Sequence, residues 1–310
     1  MYRLLPTLCI HFLCLCLSAQ GDSNAPAQQW DIIAFEQEIS SWLDQIGSAP
    51  EDGARLAASD SIESALARAA RMDSEGLMSK IFASWRKMAS LTPEDAAFRL
   101  FNWNIALQDG SHAFRACFVY PDGSSRMLRD ERSLLEVDEF QSLDADQWYG
   151  ALYYYIETVK HKGDTYYTVL GWNGLDDIRT AKVMDVIRLD ASGELSFGKP
   201  VFEHEEGVRS RRIFVYAEDA SMTLAYLKDK QAIVYDVLVP KPGLAPDAGA
   251  AYMVPGTEHN AYRLKAGRYS HEQGIDMSRP KSDEGKAQFN FPARPDYTRT
   301  RSKSNPLKGD

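Results

Sequence analysis

From Phe98 onward the chain alternates apolar and polar residues with a period of two, in short runs separated by turn signals. Phe101, Trp103, Ile105 and Leu107 alternate with Asn102, Asn104 and Ala106. Asp109-Gly110 turns the chain, and Phe114, Ala116, Phe118 and Tyr120 answer on the next run. Asp122-Gly123 turns it again into Arg126 to Leu128. Further runs fit Trp148 to Val159, Tyr166 to Trp172, Ile178 to Leu189 and Leu195 to Phe202. Arg211 to Ala217, Met222 to Tyr226 and Ala232 to Leu238 follow, with a last hairpin expected over Tyr252 to Leu264. Strands this close together leave no room for helical crossovers, so they must pair as antiparallel hairpins. The expected body, residues 98–270, is an antiparallel meander closed as a sandwich or open barrel.

The preceding segment, residues 21–97, has the helical period instead. Trp30, Ile33, Phe35, Ile39, Trp42, Leu43 and Ile46 predict one helix, broken by Pro50 and Gly53. The Ala-rich run from Ala54 to Met72 predicts a second. Ser74 is the expected cap of a third, with Leu77, Met78, Ile81, Phe82, Trp85 and Met88 as its apolar stripe. The fold class is therefore α+β, with a short N-terminal helical segment ahead of a mainly antiparallel β domain.

The chain starts with Arg3, an apolar run from Leu4 to Leu17, and then Ser18-Ala19-Gln20. That order of charge, apolar run and small residues is the pattern of a secretory signal peptide, expected over residues 1–20. The expectation is export to the periplasm, the cell envelope or the medium, with no transmembrane span in the mature chain. Cys9, Cys14 and Cys16 leave with such a leader, so Cys117 remains alone and no internal disulfide can form. A lone thiol flanked by Phe114, Ala116, Phe118 and Val119 reads as a buried apolar residue, the catalytic alternative lacking a Cys-His signature. A formal charge of −9 argues against nucleic acid as a partner. The tail, drawn at residues 271–310, carries Pro280, Pro292, Pro295 and Pro306 among Arg, Lys and Ser beyond Met277. Its composition predicts a solvated basic segment, with docking on an anionic surface as the sharper alternative.

Trp148-Tyr149-Gly150-Ala151-Leu152-Tyr153-Tyr154 and Tyr166-Tyr167-Thr168-Val169-Leu170-Gly171-Trp172-Asn173-Gly174 carry a resemblance. Gly198 to Phe202, Arg212 to Tyr216 and Ser221 to Leu224 extend it. Between about Phe98 and Arg268 the chain resembles a group of uncharacterised secreted proteins of Bacteroidota. The resemblance implies export and a β body; it implies no activity, and no residue role carries over.

Several residue sets invite a chemical reading. Trp103, Trp148, Tyr154, Tyr166, Tyr167 and Trp172 lie on neighbouring predicted strands, where exposed rings stack on sugars and buried ones pack a core. Asp185 shares the register of Ala181, Val183 and Ile187, and Asp236 that of Val234 and Leu238. Two carboxylates on apolar faces suit a general acid and base, as in glycoside hydrolysis, or else structural hydrogen bonding. Glu203-His204-Glu205-Glu206 has metal-ligand types without HExxH spacing. Asn173, Asp176 and Asp177 offer oxygens for Ca²⁺ without EF-hand spacing. No P-loop, dinucleotide fingerprint or nucleophile elbow occurs. Accordingly no catalytic, cofactor-binding or metal-ligating residue is assigned and no cofactor is expected. The expected function is a non-catalytic envelope or secreted module, binding or structural, with a protein or saccharide partner. The alternative is a glycosidase-like hydrolase using paired carboxylates.

Overall fold

The helical period of the N-terminal segment becomes two long helices. Phe35, Ile39, Leu43 and Ile46 recur every three or four residues and are the buried positions of α1 (Ile32–Ser48). In α2 (Asp52–Met72) the buried stripe runs through Ala58, Ile62, Ala65, Leu66 and Ala69. Alanines let this stripe approach its neighbours closely without loss of side-chain entropy. The coordinates are a computed structural model that describes residues 30–277 apart from 191, 246 and 248. The expected leader and the proline-rich stretch from residue 278 lie outside the described residues.

The third helix departs from expectation. Only α3 (Ser74–Ser79) forms, and its N-cap is Asp73, whose carboxylate accepts from the Gly76 N–H at 2.8 Å. Beyond Lys80 the chain is irregular and Ile81 is 83% exposed. Phe82 and Trp85 stack at 3.9 Å, and Trp85 meets Phe35 and Phe101 edge-on. Met88 opens a strand, β1 (Met88–Leu91), inside the segment expected to be helical.

β2 (Arg99–Ala106), β3 (His112–Val119) and β4 (Ser125–Arg129) follow β1 as a four-stranded sheet in that order. The β2–β3 and β3–β4 hairpins are set by Asp-Gly-Ser turns: Asp109 accepts from the Ser111 N–H at 2.9 Å and Asp122 from the Ser124 N–H at 2.8 Å. Gly110 and Gly123 supply the positive φ between them. Next come β5 (Leu143–Asp144), β6 (Leu152–His161), β7 (Asp164–Asn173), β8 (Arg179–Leu189) and β9 (Leu195–Phe197). The last strands are β10 (Phe202–His204), β11 (Gly207–Arg209), β12 (Arg212–Ala217), β13 (Leu224–Leu227), β14 (Ala232–Pro240), β15 (Met253–Lys265) and β16 (Arg268–Glu272). A second sheet has the order β5-β9-β8-β7-β6 with β12 also on β8, and a third the order β11-β10-β16-β15-β14-β13.

Strand boundaries differ from the sequence expectation in several places: the run expected from Trp148 becomes a strand only at Leu152, and β5 and β11 lie where none was expected. The run from Leu195 to Phe202 is split into β9 and β10, because Gly198 takes φ +88° and Pro200 follows. The hairpin expected over Tyr252 to Leu264 is instead one long strand, Met253–Lys265, and β16 completes the hairpin by pairing Leu264 with Tyr269. β16 therefore crosses the expected tail boundary at residue 271, and Ile275 and Met277 still pack against Ala232, Val234 and Ala261. Among the described residues β10 on β16 is the one parallel pairing.

Helices and sheets stack in layers. Phe101, Trp103 and Ile105 of β2 are buried on the helix side, where the Trp103 indole donates to Ser59 of α2 at 2.9 Å. The other face of that sheet, with Leu100, Phe114, Ala116 and Phe118, packs on Tyr153, Tyr167, Val169, Val183 and Ile187 of the second sheet. The second sheet's far face, with Tyr166, Leu170, Met184 and Val186, packs on Ile233, Tyr235, Tyr262 and Tyr269 of the third. The expected α+β class holds, a short helical segment ahead of a mainly antiparallel β domain, whose strands are arranged as three sheets packed face to face. Both faces of β8 are buried, which is why its sequence is apolar at odd and even positions alike.

Candidate functional site

The edge of β8 opposite β7 is shared by two strands. β12 pairs with Arg179 to Met184 and β9 with Ile187 to Leu189. Asp185 sits at the fork and is fully buried. Its carboxylate accepts from the Tyr149 hydroxyl at 2.6 Å and the Val186 N–H at 2.7 Å, and pairs with Arg211 at 3.2 Å. Arg211 is itself 0% exposed and donates to the carbonyls of Asp138, Gln141 and Phe197 at 2.8–3.1 Å. Burial opposes its charge, but Asp185 outweighs that and lifts the guanidinium above its ordinary value. The phenol of Tyr149 is pushed well up by burial and by Asp185.

Asp236 lies elsewhere. A bulge between Asp236 and Leu238 breaks the register, so Leu238 joins the core beneath the sheet while Val234 lies in the cluster on the opposite face. Asp236 accepts from the Thr223 N–H at 2.6 Å and pairs with His259 at 3.2 Å. Each carboxylate is thus held by backbone N–H and a side-chain donor, and neither lines the cleft described next.

That cleft, of about 300 Å³, opens between the first and second sheets. Its wall is built from strand ends: His112 from the start of β3, Asp130 to Leu134 just past β4, Tyr149, and Asn173-Gly174-Leu175 at the end of β7. Asp130 pairs with Arg115 at 3.0 Å. Arg115 also meets Glu63 of α2 at 3.1 Å, so the helical layer backs the cleft electrostatically. Burial pushes the Asp130 carboxyl up to about 6, against the backbone hydrogen bond at Phe114 and the pull of Arg115. His112 is fixed by Asn104 at 2.8 Å and lies edge-on to Trp172 at 5.1 Å. Gly174 has no room for a side chain, since a Cβ there would lie 2.6 Å from His112 and 2.7 Å from Trp172. Tyr149 joins the two sites: the residue borders the cleft and its hydroxyl holds Asp185 behind it. A second groove, of about 600 Å³, runs along α1 past Ile33, Glu36, Ser40 and Ser84. There Ser84 bonds Ser40 and Glu36, so its polar groups are engaged with one another.

The other sequence-derived sets resolve in place. Trp103, Trp148, Tyr166 and Tyr167 are buried and Tyr154 and Trp172 are half-buried, so these rings serve packing. Cys117 is buried, and burial pushes its thiol up, away from the reactive thiolate. Asn173 donates to the Gly150 carbonyl, and both oxygens of Asp176 are taken by Arg179 and by the N–H groups of Ile178 and Arg179. Among the described residues no cluster of His, Cys, Asp and Glu has the form of a metal site. No helix there is long and apolar enough to cross a membrane. Asp130 and Arg132 were hidden in what reads as a polar connection; the available signal was their position at a strand end, where binding groups concentrate. No family model, curated protein or solved structure matches the chain.

Proposed function

We propose that the chain is an exported, non-catalytic binding module whose cleft at Asp130 and Arg132 receives one residue of a saccharide. The observation that carries this reading is the cleft itself: about 300 Å³, enough for one sugar ring, bordered by two acids (Asp130 and Glu131), Arg132, Ser133, His112, Asn173 and Tyr149. Such a set offers donors and acceptors to hydroxyl groups. The leader-like order of residues 1–20 supports export. The hydrolase reading has one observation in its favour, the raised carboxyl of Asp130, which suits a general acid. Asp185 and Asp236 do not supply its partner, for each is engaged as described above.

One experiment separates the two. Oligosaccharides are titrated calorimetrically into wild type, Arg132→Ala and Asp130→Asn, and the same mixtures are assayed for released sugar. Binding that both substitutions weaken at least tenfold, without turnover, is the expected result. Turnover that Asp130→Asn abolishes at an unchanged melting curve establishes the hydrolase instead. N-terminal sequencing of protein recovered from its native envelope tests export; a chain still starting at Met1 counts against it.

A further inference from the structure

His204, at the end of β10, and His271, in β16, stack with ring centroids 4.8 Å apart and planes 29° from parallel. They sit where the backbone attachment is thinnest. β10 meets β16 through one register pair, Phe202 with Tyr269, supported by the Tyr269 N–H to the Val201 carbonyl at 2.8 Å. Beyond it the chain turns at Glu205-Glu206 into β11, so the hairpin is held on the sheet largely by side chains. Beneath it, Phe202 and Tyr269 are buried and stacked at 5.2 Å.

The surroundings suit neutral rings and not charged ones. Arg209 from β11 and Arg212 from β12 act on His204, and Arg212 acts on His271 as well. From β14, the Tyr235 hydroxyl meets His271 Nε2 at 2.8 Å; from β15, the Tyr262 ring lies 5.2 Å from it. Of the carboxylates nearby, Glu205 favours the charged form of both rings and Glu206 that of His204, but burial and the neighbouring cations outweigh them. Glu139 is bound by Arg209 and Arg212, Glu206 by Arg209, Glu203 by Ser270 and Arg268, and Glu205 by Gln273. His204 Nδ1 is buried with no hydrogen-bond partner. An imidazolium carries a proton on both nitrogens, so protonating His204 would strand a charged N–H there.

We propose that His204 and His271 form an acid-opened clasp: as neutral rings they hold the β10–β11 hairpin on β16, and protonation releases it. Burial, with Arg212 and Arg209, keeps His204 below its ordinary value, and burial, with His204 and Arg212, does the same for His271. The sign follows. Below the ordinary histidine value of about 6.5 the opened form takes up protons that the closed form resists, so closure weakens as pH falls.

Hydrogen exchange read by mass spectrometry, corrected for the intrinsic rate, tests the clasp. In wild type, protection over residues 202–209 and 268–272 should fall at least about tenfold between about pH 7.5 and pH 5, while β2 and β3 hold theirs. His271→Phe keeps a ring in the stack and removes one of the two titrating groups, so it should lose less protection at the acid end than wild type does. Should that variant melt lower at neutral pH, His204→Gln is read in the same way. Unchanged wild-type protection at about pH 5 overturns the clasp, as does an equal acid loss in either folded variant. So does nuclear magnetic resonance titration placing both imidazoles at or above their ordinary value in the folded protein.

Discussion

Replacing Arg211 by Met is the sharpest test of how this fold is held. Met keeps much of the length and volume but supplies no donor, so Asp185 is left buried beside it. Removing one partner of a buried ion pair costs about 3–5 kcal/mol, because the remaining charge has lost its compensation. Arg211 also serves three carbonyls, those of Asp138, Gln141 and Phe197. Stranding them pushes the loss towards the top of that range rather than adding in full, since they share one donor and relax together. At about 2–4 °C per kcal/mol for a domain of this size, a loss near 4 kcal/mol lowers Tm by about 8–16 °C. Asp185→Asn should be milder, about 1–3 kcal/mol, because an amide oxygen still accepts from Tyr149 or the Val186 N–H. Urea unfolding followed by circular dichroism measures both, with the double variant closing the cycle. A loss below about 1 kcal/mol for Arg211→Met, or a larger loss for Asp185→Asn than for Arg211→Met, refutes the assignment of this pair to structure.

Other outcomes are equally open to measurement. Asp130, raised to about 6, keeps a proton in the folded chain that the unfolded chain releases from about 4, so its contribution to stability falls as pH rises through that window. Urea melts across the window should show this decline in wild type and a flatter profile in Asp130→Asn; equal slopes count against a buried carboxyl. Trp85→Ala removes a ring that packs on Phe35, Phe82 and Phe101 and should cost about 3–5 kcal/mol, whereas an exposed loop tryptophan would cost little. Ending the chain after Glu272 deletes Ile275 and Met277 from the outer face of the third sheet, along with the Ile275 N–H bond to His259, and should cost about 2–4 kcal/mol. Ending it after Met277 should leave the melt unchanged, and equal melts for the two truncations would show that those contacts do not hold.

The strand runs and the two long helices were legible because each has one dominant period. The failures have physical causes. Phe82, Trp85 and Met88 keep helical spacing, yet the rings of Phe82 and Trp85 are placed by edge-on contacts with Phe35 and Phe101 across distant segments, which no local pattern encodes. On β8 alternation could not orient Asp185, because a sheet buried on both faces has no polar side to compare. On β14 a bulge invisible in the sequence separated Leu238 from Asp236. The cleft was illegible for a different reason: its wall comes from four stretches of chain, at His112, at Asp130 to Leu134, at Tyr149 and at Asn173 to Leu175. Only the Asp-Gly turns, whose chemistry is complete within a few residues, could be read in full.

The fork on β8 bears on how the chain reaches this structure. The guanidinium of Arg211 finds its acceptors on Asp138, Gln141, Asp185 and Phe197, so a stretch of more than 70 residues must converge before it is satisfied. A partly assembled chain can leave this cation in water at no penalty, but cannot dry the region around it until the last acceptor arrives. Dehydration of the second sheet is therefore a late, collective event. Late closure favours a single cooperative unfolding step, with few half-formed states that expose apolar strand edges.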